Sequence, residues 1–283
     1  MPALAPLINY KKECLDHGYI RVVDYMGSDE TIEAAARLST NTEGRTTQAT
    51  TKLLNYLMKH RHTSPFEQAN ISLEMHMPIF VARQLVRHRT QSINEVSARY
   101  TELPNVYYTP NWFLKQSLAN KQGSVEGISE QGNTYFMAQY DNHHQNAFAL
   151  YRAMLEAGIS REQARMVLPL STYTLWQTTM NAHNFMHMIK LRIDPHAQSE
   201  TREYAKIMLD ILRKWLPITA EAFEEYVLES HTFTSGDLAV ISTLLEDTSS
   251  AEFITRANEF ELSSREITAL MTAIFGNECK ARP

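Results

Sequence analysis

Only two of the 283 residues are cysteine, Cys14 and Cys279, near opposite ends of the chain. Two thiols so far apart supply no disulfide framework and point to a reducing compartment. Neither has activating neighbours: Cys14 follows "YKKE" and Cys279 lies in the last stretch. A cysteine nucleophile is therefore disfavoured. The chain lacks a GxGxxG fingerprint and a GxxxxGK(S/T) loop, which leaves the Rossmann site and the P-loop unsignalled. It also lacks the GxSxG elbow of the hydrolases. The formal net charge is −5, which excludes a global basic field for a nucleic acid polymer. Any anion site must be a local concentration of arginine. No stretch approaches the roughly 20 apolar residues of a membrane helix. The opening "MPALAPLINYKKECLDHGYI" has no basic segment before a long apolar run, so no secretory signal is read. The expectation is a soluble cytoplasmic protein with no membrane partner.

What is present suffices for a core, with 43% hydrophobic against 21% charged residues. "GYIRVVDYMG" (18–27) reads as a strand ending at a glycine turn. "SDETIEAAARLS" (28–39) opens a helix with Ser28 as N-cap. A second helix covers 46–62, with Leu53, Leu54, Leu57 and Met58 on one face. "ANISLEMHMP" (69–78) alternates as a half-buried strand does, and Pro78 is placed to open the helix "IFVARQLVRHR". On a wheel of about 100° per residue that helix gathers Val81, Ala82, Leu85 and Val86 in one arc. Arg83, Gln84, Arg87 and His88 fill the other. The segment after it reads as a loop, and the polar stretch 115–133 as a surface loop or insertion. Helices are predicted over about 135–157, 160–168, 172–190 and 198–216, the last ended by Pro217. Residues 231–283 carry four basic and eight acidic residues, with capping patterns at Ser249-x-x-Glu252 and Ser263-x-x-Glu266. They read as a separate acidic helical extension, so the predicted division is 1–230 and 231–283.

Chemistry concentrates around "RHRTQSINEVSARY" (87–100). The window 83–99 holds Arg83, Arg87, Arg89 and Arg99 against Glu95 alone. Guanidinium forks bind phosphate bidentately and keep their charge at any working pH. The plain alternative is a solvated face with surface ion pairs. "HRHTSPFE" (60–67) sets His62, Thr63 and Ser64 before Pro65, a turn that either lines a ligand site or only redirects the chain. In "MNAHNFMHMIKLRIDPHAQ" (180–198), His183 and His187 are four apart on a helix and His196 follows. That spacing suits a metal, but no partnering glutamate or carboxylate cluster accompanies it, so a polar or cofactor-facing edge is favoured. Arg192, at the helix end, serves either the C-terminal carbonyls or a polarised ring. Arg165 sits among Ala164, Met166, Val167 and Leu168 and reads as partly buried. It then needs an anionic partner: Glu162, a neighbouring carboxylate or a ligand phosphate.

These residues resemble the signature of the flavin-dependent thymidylate synthases. The signature is RHR, two residues, Ser, then Asn-Glu, then Ser-x-Arg-Tyr. Arg87, His88, Arg89, Ser92, Glu95, Ser97, Arg99 and Tyr100 meet every fixed position. "HTSPFE", "MPIFVARQLVRHR", "ARMVLPL" and "LRIDPHAQ" occur in the family's order, and the resemblance covers roughly residues 18–229. It implies an α/β (α+β) fold, helices around a central mostly antiparallel sheet, in a homotetramer with active sites between subunits. It implies methylation of dUMP to dTMP, with carbon from 5,10-methylenetetrahydrofolate and reducing equivalents from NADPH through bound FAD, and no covalent protein nucleophile.

By position, Gln84, Arg87, Glu95, Ser97, Ala98 and Arg99 resemble the dUMP-binding set, with Arg165 completing the phosphate clamp from another subunit. Arg192 resembles the arginine that faces the uracil and stabilises negative charge developing on it. Ser64, Arg87, His88, Arg89, Glu95, Asn181, His183 and His187 resemble FAD contacts, and His62 the residue beside the flavin ring where folate stacks. The resemblance implies no metal. The chain departs at His183, where Arg is common, at His187, where Asn is, and at Gln68, where His is. Two other classes stand beside this one: a non-catalytic nucleotide-binding homologue diverged at His183 and His187, and a helical metalloenzyme using His183, His187 and His196.

Overall fold

Alternation of apolar and polar residues sets the strands. The computed structural model describes residues 7–38, 47–118, 121–245, 248–260 and 262–276. In chain order come β1 (Lys11–Cys14), β2 (Gly18–Met26), α1 (Asp29–Leu38), α2 (Thr47–Lys59) and a 3-10 turn at Ser64–Gln68. Then follow β3 (Asn70–Pro78), α3 (Ile79–Leu85), β4 (Ser92–Glu95), β5 (Leu114–Gln116) and β6 (Ser124–Gly127). After these come α4 (Glu130–Glu156), α5 (Arg161–Ala164), β7 (Tyr173–Asn181), α6 (Ala182–Ile193), α7 (Ser199–Trp215) and α8 (Pro217–Phe223). The chain divides into two compact units, Met1–Glu229 and Ser230–Pro283.

In the first unit five strands form one antiparallel sheet in the order β1-β2-β3-β7-β4. Central β3 pairs with β7 from Asn70↔Asn181 to Pro78↔Tyr173. That register puts Ile71, Leu73, Met75 and Met77 on the same buried face as Met180, Thr178, Trp176 and Thr174. Phe185, Met186 and Ile189 of α6, and Tyr204, Met208, Ile211 and Leu212 of α7, join the same core. Each such large side chain contributes about 1.5–3 kcal/mol on burial. Tyr204 is fully buried, yet its hydroxyl donates to the His76 carbonyl at 2.8 Å. A Cβ on Gly18 would fall 2.0 Å from that hydroxyl, so glycine is required where β2 begins. The fold class is the expected one, helices packed on an antiparallel sheet.

Several segments differ from the sequence reading. The helix expected over 172–190 is β7 followed by α6. Threonine, tyrosine and tryptophan are concentrated in "YTLWQTTM" and favour a pleated surface. The helical pattern starts only at Ala182, where the Asn181 side chain accepts from Asn184 N at 2.9 Å. The helix expected to reach Arg89 ends at Leu85, so Val86, assigned to the packed arc, is exposed. The loop after it contains β4, held by β7 across the sheet. The 115–133 stretch holds most of the β5–β6 hairpin and the first turn of α4, capped by Ser129. The 160–168 helix breaks into α5 and a 3-10 turn at Arg165–Val167. Ser28 precedes α1, but its hydroxyl donates to Glu30 at 2.7 Å and does not cap. Asp29 caps α8 instead, accepting from Ile218 N at 2.9 Å, Thr219 N at 3.0 Å and Thr219 Oγ1 at 2.6 Å.

The second unit contains α9 (Ser235–Leu244), α10 (Ser250–Glu259) and α11 (Ser264–Phe275). Its core is Ala257, Ile267 and Met271, with Phe253, Leu262 and Phe275 packed against them. Ser263 and Glu266 make a reciprocal capping box. Ser249 accepts from Glu252 N at 3.2 Å, but the Glu252 carboxylate turns to Arg256, so that box is half made. Thr234 and Asp237 form a further box that the sequence reading missed. Among the described residues no helix is long and apolar enough to cross a membrane.

Candidate active site

Pro78 opens α3 in extended geometry, with φ −60° and ψ 144°. The first N–H groups of the helix donate outward, Ile79 to Thr172 O at 2.9 Å and Phe80 to Leu170 O at 3.0 Å. At the other end the Gln91 amide closes the turn, donating to Leu85 O at 3.0 Å and His88 O at 2.7 Å. The Gln91 carbonyl oxygen accepts from Thr178 Oγ1 of β7 at 2.8 Å. Gln91 thus fixes Arg87–Thr90 against the sheet. The sequence reading gave it no role; its only signal was an amide just past a helix end.

Two adjoining clefts meet on α6. The first, about 560 Å³, is lined by Arg87, His88, Arg89, His183, His187 and Arg192, with Thr90 and Asn184. The second, about 230 Å³, has an apolar floor of Leu57, Phe66 and Phe223 and a rim of Arg61, His62 and Lys190. His183 and His187, one turn apart, line both. Among the described residues no Asp or Glu lines either cleft. Two other hollows of similar size, about 580 and 620 Å³, include carboxylates such as Asp16, Glu203 and Glu200 in their walls. Charge, not volume, singles out the α6 clefts as an anion site.

Arg192 is half-buried and aimed by two bonds. Its Nε donates to His88 Nε2 at 3.0 Å and its Nη2 to Gln84 O at 2.9 Å. Burial and the neighbouring Arg192 and His187 push His88 down to about 4, so its imidazole is neutral. The His88 and His187 rings meet edge to face at 5.7 Å. His187 is also held below its ordinary value, by burial and then by His183, Lys190 and Arg192.

The remaining predicted residues, His62 on the rim of the second cleft apart, lie outside these linings. The Gln84 side chain donates to Gln198 at 2.6 Å and accepts from Thr201 at 3.1 Å. Glu95 accepts from Thr174 Oγ1 at 2.6 Å. Ser97 accepts from Arg99 N at 3.3 Å in a turn whose Ala98 is buried. Arg99 pairs with Glu162 at 3.1 Å, so Glu162 is not the partner of Arg165. Arg165 is exposed rather than partly buried: of its segment Ala164 is buried and Val167 and Leu168 pack against the same cluster, while Arg165 and Met166 face outward. Ser64 is exposed at the start of its 3-10 turn, and the His62 ring lies 5.8 Å from that of Tyr56. The Asn181 side-chain oxygen caps α6. His196 turns to Asp194 at 2.8 Å, and no metal-binding group of three His, Cys, Asp or Glu occurs among the described residues. Cys14 is buried, with its thiol pushed up to about 12 by burial, and Cys279 lies outside the described residues.

A family model described as "Thymidylate synthase complementing protein" matches residues 21–218. A flavin-dependent thymidylate synthase of Wolbachia pipientis wMel is 43% identical over 262 residues, 92% of this chain and 90% of its own. The chain belongs to the flavin-dependent thymidylate synthases. It is an enzyme of thymidylate synthesis, a methyltransferase that depends on a flavin. A synthase of Thermus thermophilus is 42% identical over 231 residues, 82% of this chain and 84% of its own. Among solved structures, the UMP/dUMP methylase PolB of Streptomyces cacaoi, bound with 5-bromo-dUMP, superposes with a TM-score of 0.69 at 34% identity. That match covers 76% of this chain and 98% of the methylase.

Proposed function

We propose that this synthase methylates dUMP to dTMP with a one-carbon unit from 5,10-methylenetetrahydrofolate and two electrons from NADPH, passed through FAD. The carbon arrives at the formaldehyde oxidation level. A hydride brings it to a methyl group, and tetrahydrofolate and NADP leave. The observation that carries the reading is the charge of the clefts: Arg61, Arg87, Arg89, Lys190 and Arg192, with no carboxylate among the described lining residues. A dinucleotide with a diphosphate and a planar ring suits such a lining, with cations for the phosphates and Leu57, Phe66 and Phe223 for apolar ring surface. FAD, when bound, supplies the hydride chemistry.

Ser64, Arg87, His88, Arg89, Glu95, Asn181, His183 and His187 are its proposed contacts. Gln84, Arg87, Glu95, Ser97, Ala98 and Arg99 are proposed for dUMP, with Arg165 from a neighbouring subunit of a homotetramer. The exposure of Met166 and Leu170 beside Arg165 supports a protein surface meeting that segment. Arg192 offers fixed positive charge to a pyrimidine that gains negative charge. His62 stands at the mouth where the folate ring would stack. The catalytic unit is 1–230, followed by an acidic helical extension at 231–283.

Purified protein is expected to be yellow and to bleach with NADPH, and FAD and dUMP should each raise Tm. A colourless protein whose melting ignores FAD, with no dUMP-dependent NADPH oxidation, would sink the reading. A chain ending at Glu229 should keep both behaviours; their loss would place the extension within the working enzyme.

A further inference from the structure

We propose that His88 is the positioning residue for Arg192, a neutral acceptor that aims the guanidinium without cancelling its charge. The inference rests on the reading of Arg192 as the charge that faces the substrate ring. It assigns His88 a role distinct from contact with the cofactor.

α3 stops at Leu85, short of His88. In a longer helix the N–H of residue 88 would return to the carbonyl of Gln84. Here His88 N donates to Leu85 O at 3.1 Å. The Gln84 carbonyl is thereby released, and it takes the Arg192 Nη2–H at 2.9 Å. The same tight turn swings the His88 ring to Arg192 Nε at 3.0 Å. The early helix end thus creates both acceptors at once, and Gln91 holds it in place.

Both acceptors are uncharged. A half-buried arginine usually finds a carboxylate, which orients it and neutralises it together. Arg192 makes no ion pair among the described residues. It spends Nε–H and one Nη2–H on an imidazole and a carbonyl, and its remaining N–H groups keep the full unit charge. Acceptance at Nε2 requires a lone pair there, so the His88 proton sits on Nδ1. A protonated His88 would turn an N–H against an N–H. The surroundings oppose that state from each side: Arg192 and His187 face the ring from α6, and Arg87 and Arg89 flank it along its own segment. No anion among the described lining residues favours the imidazolium.

The test compares His88→Gln, His88→Glu and His88→Leu. Gln and Glu have nearly the same shape and both can accept from Nε. If His88 only packs, the two variants fall alike. If it aims a charge that must stay whole, Glu neutralises Arg192 and slows single-turnover flavin oxidation with dUMP and folate by about 100-fold. Gln is then slowed far less than Glu. Equal rates for Gln and Glu would overturn the proposal. A second readout uses the flavin-free protein. The Arg192 Nε–H resonance, assigned by its loss in Arg192→Lys, should be shifted and slow to exchange. His88→Leu should abolish that shift and His88→Gln should preserve it. An Arg192 resonance unchanged in His88→Leu also overturns the proposal. Arg192→Ala separates the underlying reading: if it turns over like the wild type, the role of Arg192 fails, whatever the resonance shows of its aim.

Discussion

Glu162→Gln should tighten dUMP binding. Arg99, the residue proposed to grip the nucleotide phosphate, is already occupied by Glu162 at 3.1 Å. The two side chains are 52% and 61% exposed, so this is a pair in water. Such a pair contributes about 0.2–1 kcal/mol, which corresponds to a factor of roughly 1.4 to 5 in an equilibrium constant. A phosphate must displace the carboxylate before it takes the guanidinium, so the pair lowers nucleotide affinity by that factor. Gln keeps the shape and removes the charge. The turn Ser97–Glu102 remains tied to α5 by Arg161 and Glu102 at 3.6 Å, so the substitution should not release it. Calorimetric titration with dUMP at low salt should show a gain of about 1.4-fold to fivefold. The gain should shrink at about 1 M salt, where the screening length falls to about 3 Å. Arg99→Ala should weaken binding at least as much as Glu162→Gln strengthens it. If Arg99→Ala weakens binding while Glu162→Gln leaves it unchanged, the competition argument is wrong. If neither variant moves it, Arg99 is not a phosphate ligand.

Asp29→Ala would strand two backbone N–H groups and the Thr219 hydroxyl at the start of α8, and should cost about 2–4 kcal/mol in urea unfolding. A loss below about 1 kcal/mol would mean water replaces the cap. Arg61 has φ 56° at the end of α2, in the left-handed region that favours glycine, while His62 N returns to Leu57 O at 2.9 Å. Arg61→Gly should therefore stabilise by about 1 kcal/mol and weaken FAD binding, because it removes a rim cation. Unchanged FAD affinity would remove Arg61 from the site. His88 titrates at about 4 in the fold against about 6.5 unfolded, so between these values the unfolded chain binds more protons. Stability should fall as pH drops through that window, by about 1–2 kcal/mol after discounting for a half-buried, screened site. His88→Gln should flatten the slope; an identical acid profile would contradict the assignment.

Local patterns carried much of this architecture. The stripe Tyr204, Met208, Ile211, Leu212 and Trp215 announced α7, and the alternation of Ile71, Leu73, Met75 and Met77 announced β3. β4 was not legible, because its four residues become a strand only by pairing with β7, from Ser92↔Thr179 to Glu95↔Trp176. Nothing within those four residues specifies that distant partner. The end of α3 was hidden for a similar reason, since Gln91 closes it with help from Thr178 across the sheet. Of the site, the motif named Arg87, His88 and Arg89, and the helix spacing named His183 and His187. Arg61 and Lys190 escaped, because a single basic residue at a helix end or on a helix face looks like surface until a cleft forms beside it. The pairing of Arg99 with Glu162 joins two segments whose proximity no periodicity encodes.

The lack of carboxylates among the described residues lining the α6 clefts has a consequence for the enzyme at rest. Like charges gathered on one wall, with nothing opposite to balance them, attract small anions from the surroundings. Inorganic phosphate, sulfate and metabolite carboxylates will occupy the wall in proportion to their concentration. Each must leave before a cofactor or nucleotide arrives. Apparent affinities measured in phosphate buffer will then describe an exchange of anions, and the buffer becomes a participant in the equilibrium.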